Sequence, residues 1–128
     1  TSLRIFLNYI SFPVTALFNL PRLHGRKYDA VIMDPPSYGR GPGGEVWKLE
    51  DCVFDLVKLC TGVLSNDPLF FLINSYTTGL SPSVMGYILG ETICPQFGGN
   101  VTFDEIGLPV EESGLCLPCG STAIWQKG

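Results

Sequence analysis

The sequence lacks a basic run, an internal repeat and a low-complexity tract, and it holds a single histidine. With a formal net charge of −4 over 128 residues, it presents no strongly basic face of its own for nucleic acid. An RNA substrate would need positive charge from a segment outside this chain. No apolar run is long enough to span a bilayer, because Asn8, Pro13 and Asn19 interrupt the apolar stretch Thr1 to Leu20. Arg4 followed by Ile5, Phe6 and Leu7 has the charge order of a secretory signal, but no small-residue cleavage site follows. A membrane is therefore not an expected partner. The one histidine, His24, lies between Pro21 and Gly25 and reads as a loop surface residue.

Cysteine is present but not in a scaffold pattern. The five cysteines, Cys52, Cys60, Cys94, Cys116 and Cys119, are odd in number, and Cys52 and Cys60 fall inside a helical apolar pattern. Reduced, buried thiols in a reducing, cytoplasmic compartment are the expectation. Cys116-Leu117-Pro118-Cys119 has the spacing of a zinc half-site, but only Cys94 and His24 are loosely available as further ligands, and neither forms a second pair. A redox pair normally opens a helix, whereas this one lies among strands. No metal is expected.

What is there is a globular composition, 45% hydrophobic and 16% charged, of a length suited to one domain. Ala30 to Met33 is a short continuous apolar run that stops at Asp34-Pro35-Pro36, as a parallel strand buried on both faces would. Ser37 to Gly44 reads as a loop. From Val46 the period changes: Val46, Leu49, Val53, Leu56, Val57, Cys60 and Leu64 predict one apolar helix face. Leu69 to Ile73 is a second buried strand ending at Asn74-Ser75. Ser81-Pro82 starts a helix that runs to about Ile93 and stops at Pro95. Asn100 to Ile106, Leu115 to Leu117 and Ser121 to Gln126 read as strands, joined through a hairpin-like connection at residues 107–114. Strands alternating with helices predict a parallel α/β sheet, and the final strands should add an antiparallel edge. Residues 1–27 fit less well and are read as weakly helical at best.

The chemistry is expected at Asp34-Pro35-Pro36-Ser37-Tyr38-Gly39-Arg40. Ligands of open α/β sheets bind outside the carboxyl ends of the strands, where a carboxylate meets a polar crevice. The prolines stiffen the turn, and Tyr38 offers a flat face for a planar substrate. Glu45 and Lys48 flank Trp47 at the expected helix start and by themselves read as a solvated first turn. Glu111-Glu112 reads as a solvated hairpin tip.

The string Tyr28-Asp29-Ala30-Val31-Ile32-Met33-Asp34-Pro35-Pro36-Ser37-Tyr38-Gly39-Arg40-Gly41-Pro42 resembles the fourth motif of class I S-adenosylmethionine-dependent methyltransferases. Its continuation through Gly44-Glu45-Val46-Trp47-Lys48 is similar to a branch close to bacterial large-subunit ribosomal RNA methyltransferases, a resemblance that would instead make Glu45 and Lys48 part of a substrate-side loop. Asn74-Ser75-Tyr76-Thr77-Thr78-Gly79-Leu80-Ser81-Pro82 looks like that branch's post-strand loop, and Glu105 to Pro109 with Leu117 to Gly120 resemble its closing hairpin. The resemblance covers about residues 28–126. It implies the carboxyl-terminal half of a Rossmann-like sheet, whose last strand is antiparallel. It implies S-adenosylmethionine as cofactor and a nucleic-acid acceptor. Asp34, Pro35 and Pro36 would hold the acceptor atom, and Ser37, Tyr38, Arg40, Asn74 and Ser75 would line its site.

The family's Gly-rich cofactor loop and the acidic residue after its second strand have no counterpart here. Residues 1–27 depart from the family, which would place a strand, an acidic residue and a helix there, and the chain opens on Thr rather than Met. A truncated or frameshifted reading frame would produce that pattern. The family members that methylate carbon 5 of cytosine carry a nucleophilic cysteine after the strand where this chain has Asn74-Ser75-Tyr76-Thr77, so nitrogen or oxygen acceptors are favoured. The alternative is a non-catalytic remnant that pairs with a missing amino-terminal half, or self-associates through an exposed sheet edge.

Overall fold

The computed structural model describes residues 5–8, 25–41 and 43–128. Four strands and two helices build the body of the fold: β2 (Ala30–Met33), α1 (Leu49–Thr61), β5 (Phe70–Ser75), α2 (Pro82–Thr92), β6 (Asn100–Pro109) and β7 (Cys116–Gln126). Further elements are β1 (Ile5–Asn8), a ribbon of β3 (Tyr38–Arg40) and β4 (Val46–Lys48), and the short α3 (Cys94–Phe97). The main sheet has the order β1-β2-β5-β7-β6. β1, β2 and β5 are parallel, and β7 runs antiparallel to both β5 and β6. The predicted parallel sheet closed by an antiparallel edge is therefore present.

From β2 to β5 to β6 the chain steps across the sheet in one direction. Crossovers of one hand stepping one way place their helices on one face. The core agrees: Val31, Met33, Phe71, Ile73, Ala123 and Trp125 pack with Leu49, Leu56, Val57, Met85 and Leu89 of the helices. The alternating residues Ile32, Phe70, Leu72 and Ile124 are only half-buried. A doubly wound sheet covers that second face with helices from its other half.

Several boundaries differ from the sequence reading. Residues 38–40 and 46–48 pair as an antiparallel ribbon where a loop and a helix start were expected. Val46 fits the helical stripe in phase, but the alternation around buried Trp47 serves a strand. Trp47 is held there by its Nε1–H, which donates to the Pro36 carbonyl at 2.9 Å. α2 ends at Thr92 with Ile93 as its cap, as expected, but Pro95 is not an unstructured stop. It falls in the first turn of α3, where its missing N–H costs nothing. The two expected strands 115–117 and 121–126 are one, because a bulge at Ile106/Gly107 absorbs the irregularity at Pro118 and Gly120. The Ser81 cap is as expected: its hydroxyl accepts from the Val84 N–H at 3.4 Å, with Pro82 next.

The reading of residues 1–27 as weakly helical is corrected at residues 5–8, which form a strand parallel to β2. That seat, beside the fourth-motif strand, belongs to the first strand in the doubly wound order. From Tyr9 to His24 there is no glycine, so β1 does not lead into a Gly-rich loop. Residues 1–4 and 9–24, including His24, lie outside the described residues.

The five cysteines are free thiols, and no group of metal-ligating side chains forms among the described residues. Cys116 and Cys119 sit in β7, and the Cys119 thiol donates to the Leu117 carbonyl at 3.2 Å. Among the described residues no helix is long and apolar enough to cross a membrane.

Burial pushes the Cys60 thiol up to about 12, from an ordinary value of 9.0. The folded state thus holds this proton more tightly than the unfolded chain does. Its contribution is intact below pH 9 and is lost as pH rises towards 12. Thermal unfolding followed from pH 8 to 11 should show a falling Tm, with a shallower fall in Cys60→Ala. Native-state alkylation should label Cys116 and spare Cys60. Equal labelling of the two would contradict the buried placement.

Candidate functional site

The site forms where the parallel strands end. Register places Met33 opposite Ile73, so Asp34 and Asn74 follow side by side at the carboxyl edge of β2 and β5. Pro35 is buried, Pro36 and Ser37 are partly buried, and the Asp34 carboxyl reaches solvent. Partial desolvation raises the Asp34 pKa above the ordinary aspartate range. A carboxyl that is somewhat reluctant to ionise at a strand mouth can accept, share or return a proton of a bound group.

One hydrogen bond ties the Asp34 turn to the next loop, and a second braces that loop internally. Thr77 Oγ1 donates to Ser37 Oγ at 2.8 Å, across forty residues of sequence. The Thr77 N–H donates to the buried Ser75 hydroxyl at 3.0 Å. The Leu49 N–H donates to the Ser37 carbonyl at 3.0 Å, which ties the same turn to the start of α1.

Tyr38 and Arg40 are placed differently. Both lie on the β3–β4 ribbon, exposed, with Arg40 Nε donating to the Tyr38 hydroxyl at 2.9 Å. The structure joins Asp34, Pro35, Pro36, Ser37, Asn74 and Ser75 along one edge. It sets Tyr38 and Arg40 on the separate two-stranded β3–β4 ribbon. Lys48 lies on the same ribbon, paired with Tyr38 in register, and Glu45 lies in the turn before β4.

Next to this edge is an open crevice of about 490 Å³ between the post-β5 loop and the β6–β7 hairpin. Ser75, Tyr76, Thr77 and Ser81 form one wall, and Glu105, Cys119, Gly120 and Ser121 form the other. Its lining is rich in hydroxyls, carries one carboxylate and one aromatic ring, and contains no cation. This volume falls in the range of small-molecule sites. Sequence reasoning named Ser75 and missed Tyr76, Thr77, Glu105 and Cys119 as neighbours of one cavity. The available signal was Gly120, because a glycine inside a strand often marks close backbone approach.

Gly120 is where the walls meet. A Cβ there would lie 2.6 Å from the Ser75 carbonyl oxygen and 2.9 Å from the Tyr76 ring. The carbonyl belongs to a paired strand and cannot retreat. Gly120→Ala should destabilise the fold by roughly 1–3 kcal/mol, the usual cost of overpacking, and should displace Tyr76. Chemical denaturation and the Tyr76 ring resonances measure the two effects. An unchanged midpoint would show that the walls are further apart than described.

No family model matches the sequence, and no curated protein matches it. Solved structures do. The S-adenosylmethionine-dependent methyltransferase from Agrobacterium tumefaciens superposes with a TM-score of 0.74 at 27% identity, over 90% of this chain and 37% of that one. A protein assigned as a methyltransferase and complexed with SAH gives 0.52 at 22% identity, over 89% and 30%. One from Streptococcus mutans, assigned as S-adenosylmethionine-dependent, gives 0.57 at 19% identity, over 89% and 29%. The chain thus spans about a third of the length of these three structures. Its mixed sheet is a portion of the methyltransferase fold, and the resemblance carried by the Asp34 string holds at the level of class I S-adenosylmethionine-dependent methyltransferases.

Proposed function

We propose that this chain is the acceptor-side portion of an S-adenosylmethionine-dependent methyltransferase, with Asp34 at the point of methyl transfer. The observation that carries the reading is the coincidence of three features at one strand edge. These are the Asp34-Pro35-Pro36 turn, the Thr77–Ser37 bond that joins it to the next loop, and the adjoining crevice. The methyltransferase neighbours support the same chemistry.

When bound, the cofactor supplies a methyl already activated on a sulfonium, so the protein's main work is positioning. Asp34 accepts a hydrogen bond from the acceptor's N–H or O–H and aims its lone pair. The Pro35–Pro36 backbone fixes that direction. Ser37, Asn74 and Ser75 border the same edge, and Tyr38 and Arg40 contribute from the ribbon. The residues present suit an acceptor. They do not suit the cofactor by themselves, because no Gly-rich loop follows β1.

The acceptor we favour is a base in nucleic acid, turned out of its stack into the edge crevice. The support is the similarity of the Asp34 string to the ribosomal RNA branch, together with a lining of hydroxyls and one carboxylate suited to amino and imino groups. The absence of a cysteine from Asn74 to Thr77 favours a nitrogen acceptor over carbon 5 of cytosine. The second reading, a remnant without turnover, is favoured by the missing cofactor loop.

Calorimetry of this chain with S-adenosylmethionine should give no saturable heat. The same chain joined to a methyltransferase's cofactor-binding portion should bind the cofactor and transfer labelled methyl to RNA. Cofactor binding without transfer to any nucleic acid would remove the acceptor assignment. Failure of the joined protein to bind cofactor would favour the remnant.

A further inference from the structure

Beyond the bulge at Ile106/Gly107 the β6–β7 hairpin continues as an arm past the carboxyl edge of the sheet. Leu108 pairs with Leu117 in register, and the Val110 N–H donates to the Leu115 carbonyl at 2.8 Å. Strand alternation therefore puts Leu108, Val110, Leu115 and Leu117 on one face of the arm. All four are exposed, by 61%, 40%, 69% and 58%. They follow Ile124 and Leu72 in phase, on the side of the sheet that α1 and α2 leave open. An exposed apolar strip of this kind on a rigid ribbon marks an interaction surface.

Along this stretch of the chain the charges are of one sign. From Leu59 to Gln126 there is no Lys, Arg or His, while Asp67, Glu91, Asp104, Glu105, Glu111 and Glu112 are acidic. Asp104 shares the strip's face at its base, Glu105 turns to the crevice on the other face, and Glu111 and Glu112 lie at the tip. The apolar centre is thus bracketed by carboxylates.

We propose that this arm docks a polypeptide segment of another protein that has an apolar centre flanked by cationic side chains. Charge complementarity selects that partner. A nucleic-acid backbone would meet only carboxylates. A second copy laid face to face would set its own Glu111 and Glu112 against acids. Strand addition at the free edge of β6 is also guarded, since Asp104 Oδ1 already accepts the Glu105 N–H at 2.8 Å. A segment lying on the face avoids that guard. This inference does not depend on the methyl-transfer reading.

The test uses the full chain and a labelled synthetic peptide with a leucine-isoleucine centre and two arginines at each end, followed by fluorescence anisotropy. Saturable binding should weaken at least tenfold in the Leu108→Ser/Leu117→Ser double variant, whose circular dichroism should match the parent. Glu111→Gln/Glu112→Gln should weaken it several-fold and flatten its salt dependence. Equal binding of a peptide with glutamates in place of the arginines would overturn the proposal, as would unchanged affinity in the serine variant. So would competition by a single-stranded oligonucleotide, or sedimentation showing self-association that the serine variant abolishes.

Discussion

Asp34→Ala, placed in a complete methyltransferase that contains this segment, should lower methyl transfer roughly a hundred- to a thousandfold, the scale for losing one preorganised polar contact at a reacting centre. The loss should fall on kcat more than on KM, because the carboxylate acts on the atom in flight while other groups bind the remainder of the acceptor. The fold should survive. Asp34 reaches solvent and anchors no strand pairing. Asp34→Asn should recover part of the activity where the acceptor needs only a hydrogen-bond acceptor, and little where the carboxyl must take a proton. A labelled-methyl assay, with circular dichroism as the control, separates these cases. Activity in Asp34→Ala within a few-fold of the parent would remove the residue from its assigned role.

Trp125→Ala should be the most damaging single change to stability. Trp125 is fully buried in the core cluster at the end of β7. Its Nε1–H donates to the Gly98 carbonyl at 2.7 Å, and its ring centroid lies 6.0 Å from that of Phe97. The alanine variant leaves both a large cavity and an orphaned carbonyl, at a cost of about 3–5 kcal/mol. Domains carry about 5–15 kcal/mol in total, so this is a large share of what holds the chain folded. Trp125→Phe keeps most of the volume and should cost about 1–3 kcal/mol through the lost hydrogen bond and an imperfect fit. Urea titration gives both values. A midpoint barely moved in Trp125→Ala would show that β7 does not close the core.

The parts of the fold legible in the sequence were those written in local pattern. The unbroken Ala30–Met33 run bounded by prolines, the Leu49–Cys60 stripe and the Ser81-Pro82 cap each state their element within a few residues. The β3–β4 ribbon was not legible, because its pairing crosses a glycine-rich turn and Val46 is in phase with the helix that follows. The β7 strand was read as two pieces because Pro118 and Gly120 look like breakers. A bulge accommodates them, and bulges are set by the partner strand.

The site divides the same way. Asp34 was visible because a carboxylate after a buried run is a local signal. The crevice walls that Tyr76, Thr77, Glu105 and Cys119 help to form were not, since only the antiparallel return of β7 brings Ser121 opposite Ser75 and Glu105. Tyr38 and Arg40 follow Asp34 within six residues, yet they belong to the separate β3–β4 ribbon.

Methyl transfer at the mouth of β2 is tested most directly by isotope-labelled NMR of this chain joined to a methyltransferase's cofactor-binding portion, titrated with S-adenosylhomocysteine. The largest amide shifts should fall on Asp34 to Ser37 and on Asn74 to Thr77. Shifts confined to the opposite end of the strands, around Asn66, Asp67 and Gln96, would place the cofactor away from Asp34 and contradict the assignment.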